Sequence, residues 1–204
     1  MVTRIKRPIV VEGEDDKNKL GLVHVYTGDG KGKTTISLGL ALRAVGNDFR
    51  VYMIQFLKSG KTGELVSSKL LPGFVIEQFG VDALMEKQKQ KTLTEFGQTT
   101  RFVFMPDIEE KESCEKALQH AKEIIASGQY ELVILDEINC ALDKGLIKIE
   151  DVAEIIKNHG TVELVLTGRD APKEIIELAD YVSFVQKIKH PWQKGIKARR
   201  GIEY

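Results

Sequence analysis

The segment YTGDGKGKTT, residues 26–35, sets glycines at 28, 30 and 32 directly before Lys33, Thr34 and Thr35. Glycines at that spacing let the backbone curl until its N–H groups face an anion, and a helix opening at Lys33 adds its positive end. Lys33 supplies a full charge, Thr34 stands where such loops ligate Mg²⁺, and Thr35 offers a further hydrogen bond. The chemistry expected of Thr27, Gly28, Asp29, Gly30, Lys31, Gly32, Lys33, Thr34 and Thr35 is a grip on the triphosphate of a purine nucleotide, ATP with Mg²⁺. Thr27 occupies the position that a strict GxxxxGK[ST] pattern gives to glycine, so the loop is a variant.

A metal-nucleotide site needs a second half, and ELVILDE at 131–137 is of the right kind. Four apolar residues, Leu132 to Leu135, form a buried strand that delivers Asp136 and Glu137 to a sheet edge, where carboxylates hold a metal directly or through its waters. By itself the pattern also fits a capping acid after any buried strand. Its meaning comes from the loop. A further strand ends in LTGR, placing Thr167, Gly168 and Arg169 on the same edge, with Arg169 either a phosphate contact or half of a salt bridge. The tail from Lys187 to Arg200 carries six Lys/Arg and no acid, so in a chain of net charge zero the remainder is net −6. It reads as a solvated end, a nucleic-acid contact helped by Trp192, or a lid over a phosphate-rich site. Gly195 and Gly201 interleaved with Ile196 and Ile202 favour an ordered lid with buried residues.

The elements that position these residues follow from periodicity. Short β-branched runs at 22–26, 50–56, 74–79, 132–135, 162–166 and 181–185 alternate with helical patterns at 33–45, 108–126, 150–158 and 172–179. In the second helix Ala117, Leu118, Ala121, Ile124 and Ile125 share one face before a stop at Gly128. Such alternation predicts an α/β fold, three layers with a mainly parallel central sheet and helices on both faces. Residues 57–72 and 81–101 are polar and do not fit the scheme, and the second is long for a plain connection.

Residues 21–204 read as a single domain, preceded by a charged arm at 1–20 that is either flexible or folded over a neighbouring subunit. With 30 basic and 30 acidic residues, overall charge draws the chain neither to nucleic acid nor to a membrane. Cys114 and Cys140 form no CxxC pair, which argues against a zinc site or a disulfide framework. No run approaches 18 apolar residues and no signal-peptide pattern opens the chain, so the expected location is the cytoplasm.

Taken together, TGDGKGKTT, LDEIN at 135–139, LTGR at 166–169, and KHP followed by GIKARRGIEY resemble the ATP:corrinoid adenosyltransferases of the P-loop type, from about Gly21 to Tyr204. The resemblance implies a P-loop NTPase-like fold. It implies transfer of the 5′-deoxyadenosyl group of ATP to the cobalt(I) of a reduced corrinoid, with triphosphate leaving, and a homodimer served by a reductase that supplies cobalt(I). Cobalt(I) is itself a strong nucleophile, so no Ser, Cys or carboxylate nucleophile is required. By position, residues 28–35 bind triphosphate, with Arg43 a further nucleotide contact. Thr34, Asp136 and Glu137 serve the metal, and Lys33, Thr34 and Glu137 form the catalytic set. Phe102 or Phe104 lies beneath the corrin, although GQTTRFVF replaces the glycine-then-aromatic arrangement usual in the family. An ATPase acting on nucleic acid, with Glu137 as base and the tail as binding face, and a non-catalytic ATP-binding regulator are the rivals.

Overall fold

The computed structural model describes residues 19–81 and 108–203. Its centre is a six-stranded sheet: β1 (Val23–Thr27), β2 (Val51–Phe56), β3 (Phe74–Phe79), β4 (Leu132–Asp136), β5 (Glu163–Thr167) and β6 (Tyr181–Phe184). The order is β3-β2-β4-β5-β1-β6, with every pair parallel. Parallel pairing requires each connection to cross back over the sheet, and the helices do this. They are α1 (Lys33–Val45), the short α2 (Gly63–Ser67), α3 (Ile108–Ala126), α4 (Ile138–Asp143), α5 (Ile149–Asn158) and α6 (Lys173–Glu177).

Alternation along the central strands assigns their two faces. Val51 and Met53, Leu132 and Ile134, and Val165 pack with Ala41 and Ala44 of α1 on one side. Tyr52, Ile54 and Phe56, Val133 and Leu135, and Leu164 and Leu166 pack on the other with residues of α3 to α6. The buried positions of α1, Lys33, Ser37, Ala41 and Ala44, form one stripe at helical spacing, and the small residues on it let the helix lie close to the sheet. In α3 the buried stripe is Cys114, Ala117, Leu118, Ala121 and Ile125, with Ile124 at its margin. The architecture is thus α/β, with helices on both faces of a wholly parallel sheet.

Strand ends differ from expectation by a residue, because ladder hydrogen bonds rather than hydrophobicity decide them. Val162 and Val185 fall outside their strands, while Thr27, Asp136 and Thr167 fall inside. Two short helices were not expected, α2 within the polar stretch 57–72 and α4 directly after Glu137. Helix α6 ends at Glu177 rather than Ala179.

Candidate active site

Because all six strands run the same way, their C-terminal ends share one edge, and the residues at those ends become neighbours. Asp136, the last residue of β4, has no exposed surface. Its Oδ1 accepts hydrogen bonds from the Thr34 hydroxyl at 2.9 Å and the Thr167 hydroxyl at 2.6 Å. Its Oδ2 accepts from Gln55 Nε2 at 3.1 Å and Lys58 Nζ at 2.7 Å. One carboxylate thereby joins α1, β5, β2 and the segment after β2. Gln55, buried in the middle of the sheet, is satisfied in turn by Gln78 Nε2, which donates to its Oε1 at 2.9 Å.

The loop between β1 and α1 is held from several directions. Lys33 is buried, and its Nζ donates to the carbonyls of Gly28 and Gly30 at 2.6 and 2.8 Å. Burial lowers its pKa, with Glu137 pulling the other way and Arg169 adding to the depression. Thr27 is also buried, and its hydroxyl accepts the N–H of Ala171, fastening the loop to the segment after β5. Thr35 is exposed at the start of α1.

The glycines do more than face an anion. A Cβ on Gly28 would lie 2.5 Å from the Val185 carbonyl oxygen, and one on Gly30 would lie 2.7 Å from the same atom. The segment after β6 runs that close to the loop. Val185 donates its N–H to Thr27 O at 2.8 Å, Gly30 donates to Val185 O at 2.7 Å, and Lys187 donates to Asp29 Oδ1 at 2.9 Å. The Gly30 N–H is therefore committed to the chain and does not join the inward set. Gly32 differs, with φ of 121° and nothing near its Cβ position, so only its backbone conformation calls for glycine.

The tail crosses the loop once more. Lys31 Nζ lies 2.8 Å from Glu203 Oε1, and Glu203 also takes Arg199 through Nε at 3.2 Å and Nη2 at 2.9 Å. Those cations hold the Glu203 carboxyl well below its ordinary value. The tail is anchored by ion pairs and backbone bonds rather than by burial. Ile196 and Ile202, expected to be covered, are 49% and 61% exposed, since no second layer of the described residues lies above them.

Glu137 sits at the N-cap of α4 with φ of 65°, a left-handed conformation that an L residue adopts only at a cost of about 1–2 kcal/mol. The turn keeps its side chain at the edge. Its N–H donates to the Thr167 hydroxyl at 3.0 Å, and its Oε2 accepts from the Cys140 thiol at 2.9 Å. Burial, then the bond to Glu137, push that thiol up to about 12. Arg169 is exposed, its backbone N–H donates to Cys140 Sγ at 3.2 Å, and its guanidinium forms no salt bridge among the described residues.

The structure gathers the loop residues, Asp136, Glu137 and Thr167 at one edge. It does not bring Arg43 there: that residue is exposed in the last turn of α1, roughly 15 Å along the helix from Lys33. Phe102 and Phe104 lie outside the described residues, as do residues 1–18 of the arm. Sequence reasoning missed Gln55, Lys58 and Cys140. The available signal was a lysine two residues beyond a strand end, but the adjacency of β2 and β4 that gives it meaning is not written locally.

Among the described residues no three His, Cys, Asp or Glu side chains converge. The oxygen donors at Thr34 and Asp136 suit a hard cation that completes its shell with phosphate oxygens and water. A family model described as ATP:corrinoid adenosyltransferase BtuR/CobO/CobP matches residues 19–204. The corrinoid adenosyltransferase of Escherichia coli strain K12 is 31% identical over 98% of this chain and 94% of its own length. That of Sinorhizobium sp. is 34% identical over 98% of this chain and 86% of its own. The corrinoid adenosyltransferase CobA of Salmonella typhimurium is 31% identical over 90% and 86%.

Proposed function

The chain belongs to the ATP:corrinoid adenosyltransferase family BtuR/CobO/CobP, and from that premise we propose that the edge built around Lys33, Thr34 and Asp136 holds Mg-ATP while a reduced corrinoid takes its adenosyl group. The reaction is a displacement at carbon. Cobalt(I) donates an electron pair to C5′ of the ribose, the C5′–O bond breaks, and triphosphate leaves with the bonding pair as the metal becomes an alkylcobalt(III). The nucleophile belongs to the substrate, which agrees with a site whose one thiol, Cys140, is pushed up by burial and whose carboxylates are engaged in hydrogen bonds.

What the protein supplies is position and charge. Lys33, which now donates to the carbonyls of Gly28 and Gly30, turns its ammonium to the triphosphate, where it neutralises charge that grows as the bond breaks. The Thr34 hydroxyl and Asp136 carboxylate hold Mg²⁺, which when bound supplies further neutralisation of the phosphates. Glu137, fixed by its left-handed turn and the Cys140 thiol, is presented beside Lys33. Phe102 or Phe104 serves the corrin, and Arg43, in the last turn of α1, is the further nucleotide contact that the family resemblance implies.

A homodimer fits the surface. Tyr181, Val182 and Phe184 of the edge strand are all exposed, as are Ile188, Trp192, Ile196 and Ile202 of the tail, and a second copy would cover them. No described helix is long and apolar enough to cross a membrane, and a cytoplasmic location with a reductase supplying cobalt(I) completes the proposal. The observation that carries it is the convergence of Lys33, Thr34 and Asp136 on one sheet edge. Its test is anaerobic incubation with Mg-ATP and a chemically reduced corrinoid. The expected result is the visible spectrum of an alkylated corrinoid with inorganic triphosphate as co-product; ADP formation with an unchanged corrinoid spectrum would sink it.

A further inference from the structure

Lys58 is the one cation that touches both proposed metal ligands among the contacts described: its Nζ lies 2.7 Å from Asp136 Oδ2 and 3.2 Å from Thr34 Oγ1. Its placement is built in from the backbone. Leu57, the residue before it, has φ of 58°, a conformation costly for a residue with a Cβ, and its N–H donates to Phe79 O at 2.9 Å. A Cβ on Gly80 would lie 2.6 Å from the Lys58 carbonyl carbon and oxygen, so the end of β3 presses directly on the Lys58 main chain. A strained residue before it and the close approach of Gly80 to its main chain fix the backbone from which this lysine reaches Asp136.

Lys58 also borders a second space. A cavity of about 260 Å³ is lined by Lys58, Ser59, Thr62, Phe79, Glu110 and Ser113. Its side chain, 26% exposed, stands between the fully buried Asp136 carboxylate and that cavity. The Thr62 hydroxyl oxygen is buried without a partner among the described residues, and Glu110, which also faces Lys144 at 3.9 Å, brings a carboxylate to the same wall. An ammonium leaving Asp136 on its flexible stem therefore borders a space that also holds acceptors.

We propose that Lys58 is a resident counter-cation of the metal position: it neutralises Asp136 in the nucleotide-free protein, excludes a divalent ion, and swings toward the Glu110 cavity when the metal arrives with the nucleotide. The physical reason is charge balance. A fully buried carboxylate needs one compensating cation, and two cannot share the same pair of oxygens at close range. Free metal must displace Lys58 unaided, whereas metal carried on a triphosphate brings anionic oxygens that offset the repulsion between the two cations while Lys58 withdraws. Lys58 thus imposes an order on binding. This inference rests on the reading that Thr34 and Asp136 are the metal's ligands.

The test titrates Mn²⁺, an electron-paramagnetic stand-in for Mg²⁺, against the full-length protein with and without ATP. Without ATP, Lys58→Met and Lys58→Gln should bind Mn²⁺ about tenfold more tightly than the parent protein, and Lys58→Arg should bind as weakly as the parent. Unchanged or weaker Mn²⁺ binding in both neutral variants would overturn the inference. Lys58→Gln keeps a donor to Asp136 and so guards against misfolding in the Met variant. With ATP present, Asp136→Asn tests the underlying reading separately: it should weaken Mn²⁺ binding, and if it does not, the ligand assignment fails whatever Lys58 does. If Asp136→Asn weakens binding while the Lys58 variants fail to tighten it, only the role of Lys58 is lost.

Discussion

At the scale of single residues, Lys33 carries the most specific expectation. Its ammonium is buried against two loop carbonyls, and burial disfavours its charge, which offsets part of what those bonds contribute to stability. Lys33→Ala should therefore leave the melting temperature within a few degrees of the parent, about 1 kcal/mol, while lowering turnover by about 10²-fold or more. Circular dichroism melts and the anaerobic assay check both halves. The two thiols give a chemical expectation. Burial pushes Cys114 up to about 11 and Cys140 up to about 12, so at pH 8 both are almost wholly protonated. Alkylation of the folded protein by iodoacetamide should be more than about tenfold slower than that of an exposed cysteine, and rapid labelling at Cys140 would show that its bond to Glu137 is not maintained. The loop motif made Lys33 and Thr34 readable in the sequence because their roles depend on neighbours a few residues away. Lys58 and Gln55 were not readable, since their meaning lies in a strand 78 and 81 positions distant.

Elements repeat that division. The helices at 33–45 and 108–126 match their periodicity, and the strands are found to within a residue, because burial on the two faces of a parallel sheet leaves a clear hydrophobic record. Helix α4 is short and starts on a left-handed glutamate, which no local propensity announces. Register between elements is set by polar latches. Glu163 on β5 accepts the N–H groups of Gly21 and Leu22 at 3.0 Å each and His24 Nε2 at 2.6 Å. Burial works to raise its pKa, but the His24 and backbone bonds outweigh it and the net shift is downward. A depressed carboxyl contributes stability that is fully present above the unfolded value near 4.5 and is lost as pH falls through the lower folded value. Glu163→Gln should cost about 1–2 kcal/mol at pH 7, and the gap between variant and parent should close as denaturation is repeated below pH 4.5; a gap independent of pH would mean the charge is not what holds the latch. The contact between loop and tail gives another expectation. Gly28→Ala would drive a Cβ against the Val185 carbonyl and should free the tail, seen as lower anisotropy of Trp192 and faster tryptic cleavage after Lys187 and Lys189. Gly32→Ala meets no atom and costs only its backbone strain, about 1–2 kcal/mol, so its tail should stay docked.

Across the whole molecule the strand order was not readable at all, because alternation of strand and helix is the same for many permutations of one sheet. The order found puts β1 between β5 and β6, more than 130 residues ahead of both in the chain. The nucleotide loop that follows β1 is in turn braced by Val185, Lys187 and Glu203. During synthesis, then, the earliest of the described strands to leave the ribosome is the one that waits longest for neighbours, its two edges unpaired until residues 163–184 have emerged. A nascent chain halted before residue 163 would have neither partner for β1 and would lack the bonds from Ala171, Val185, Lys187 and Glu203 that brace its phosphate loop. A fragment that stops short of β5 and β6 should therefore retain nucleotide poorly, even though it carries every residue from Thr27 to Thr35.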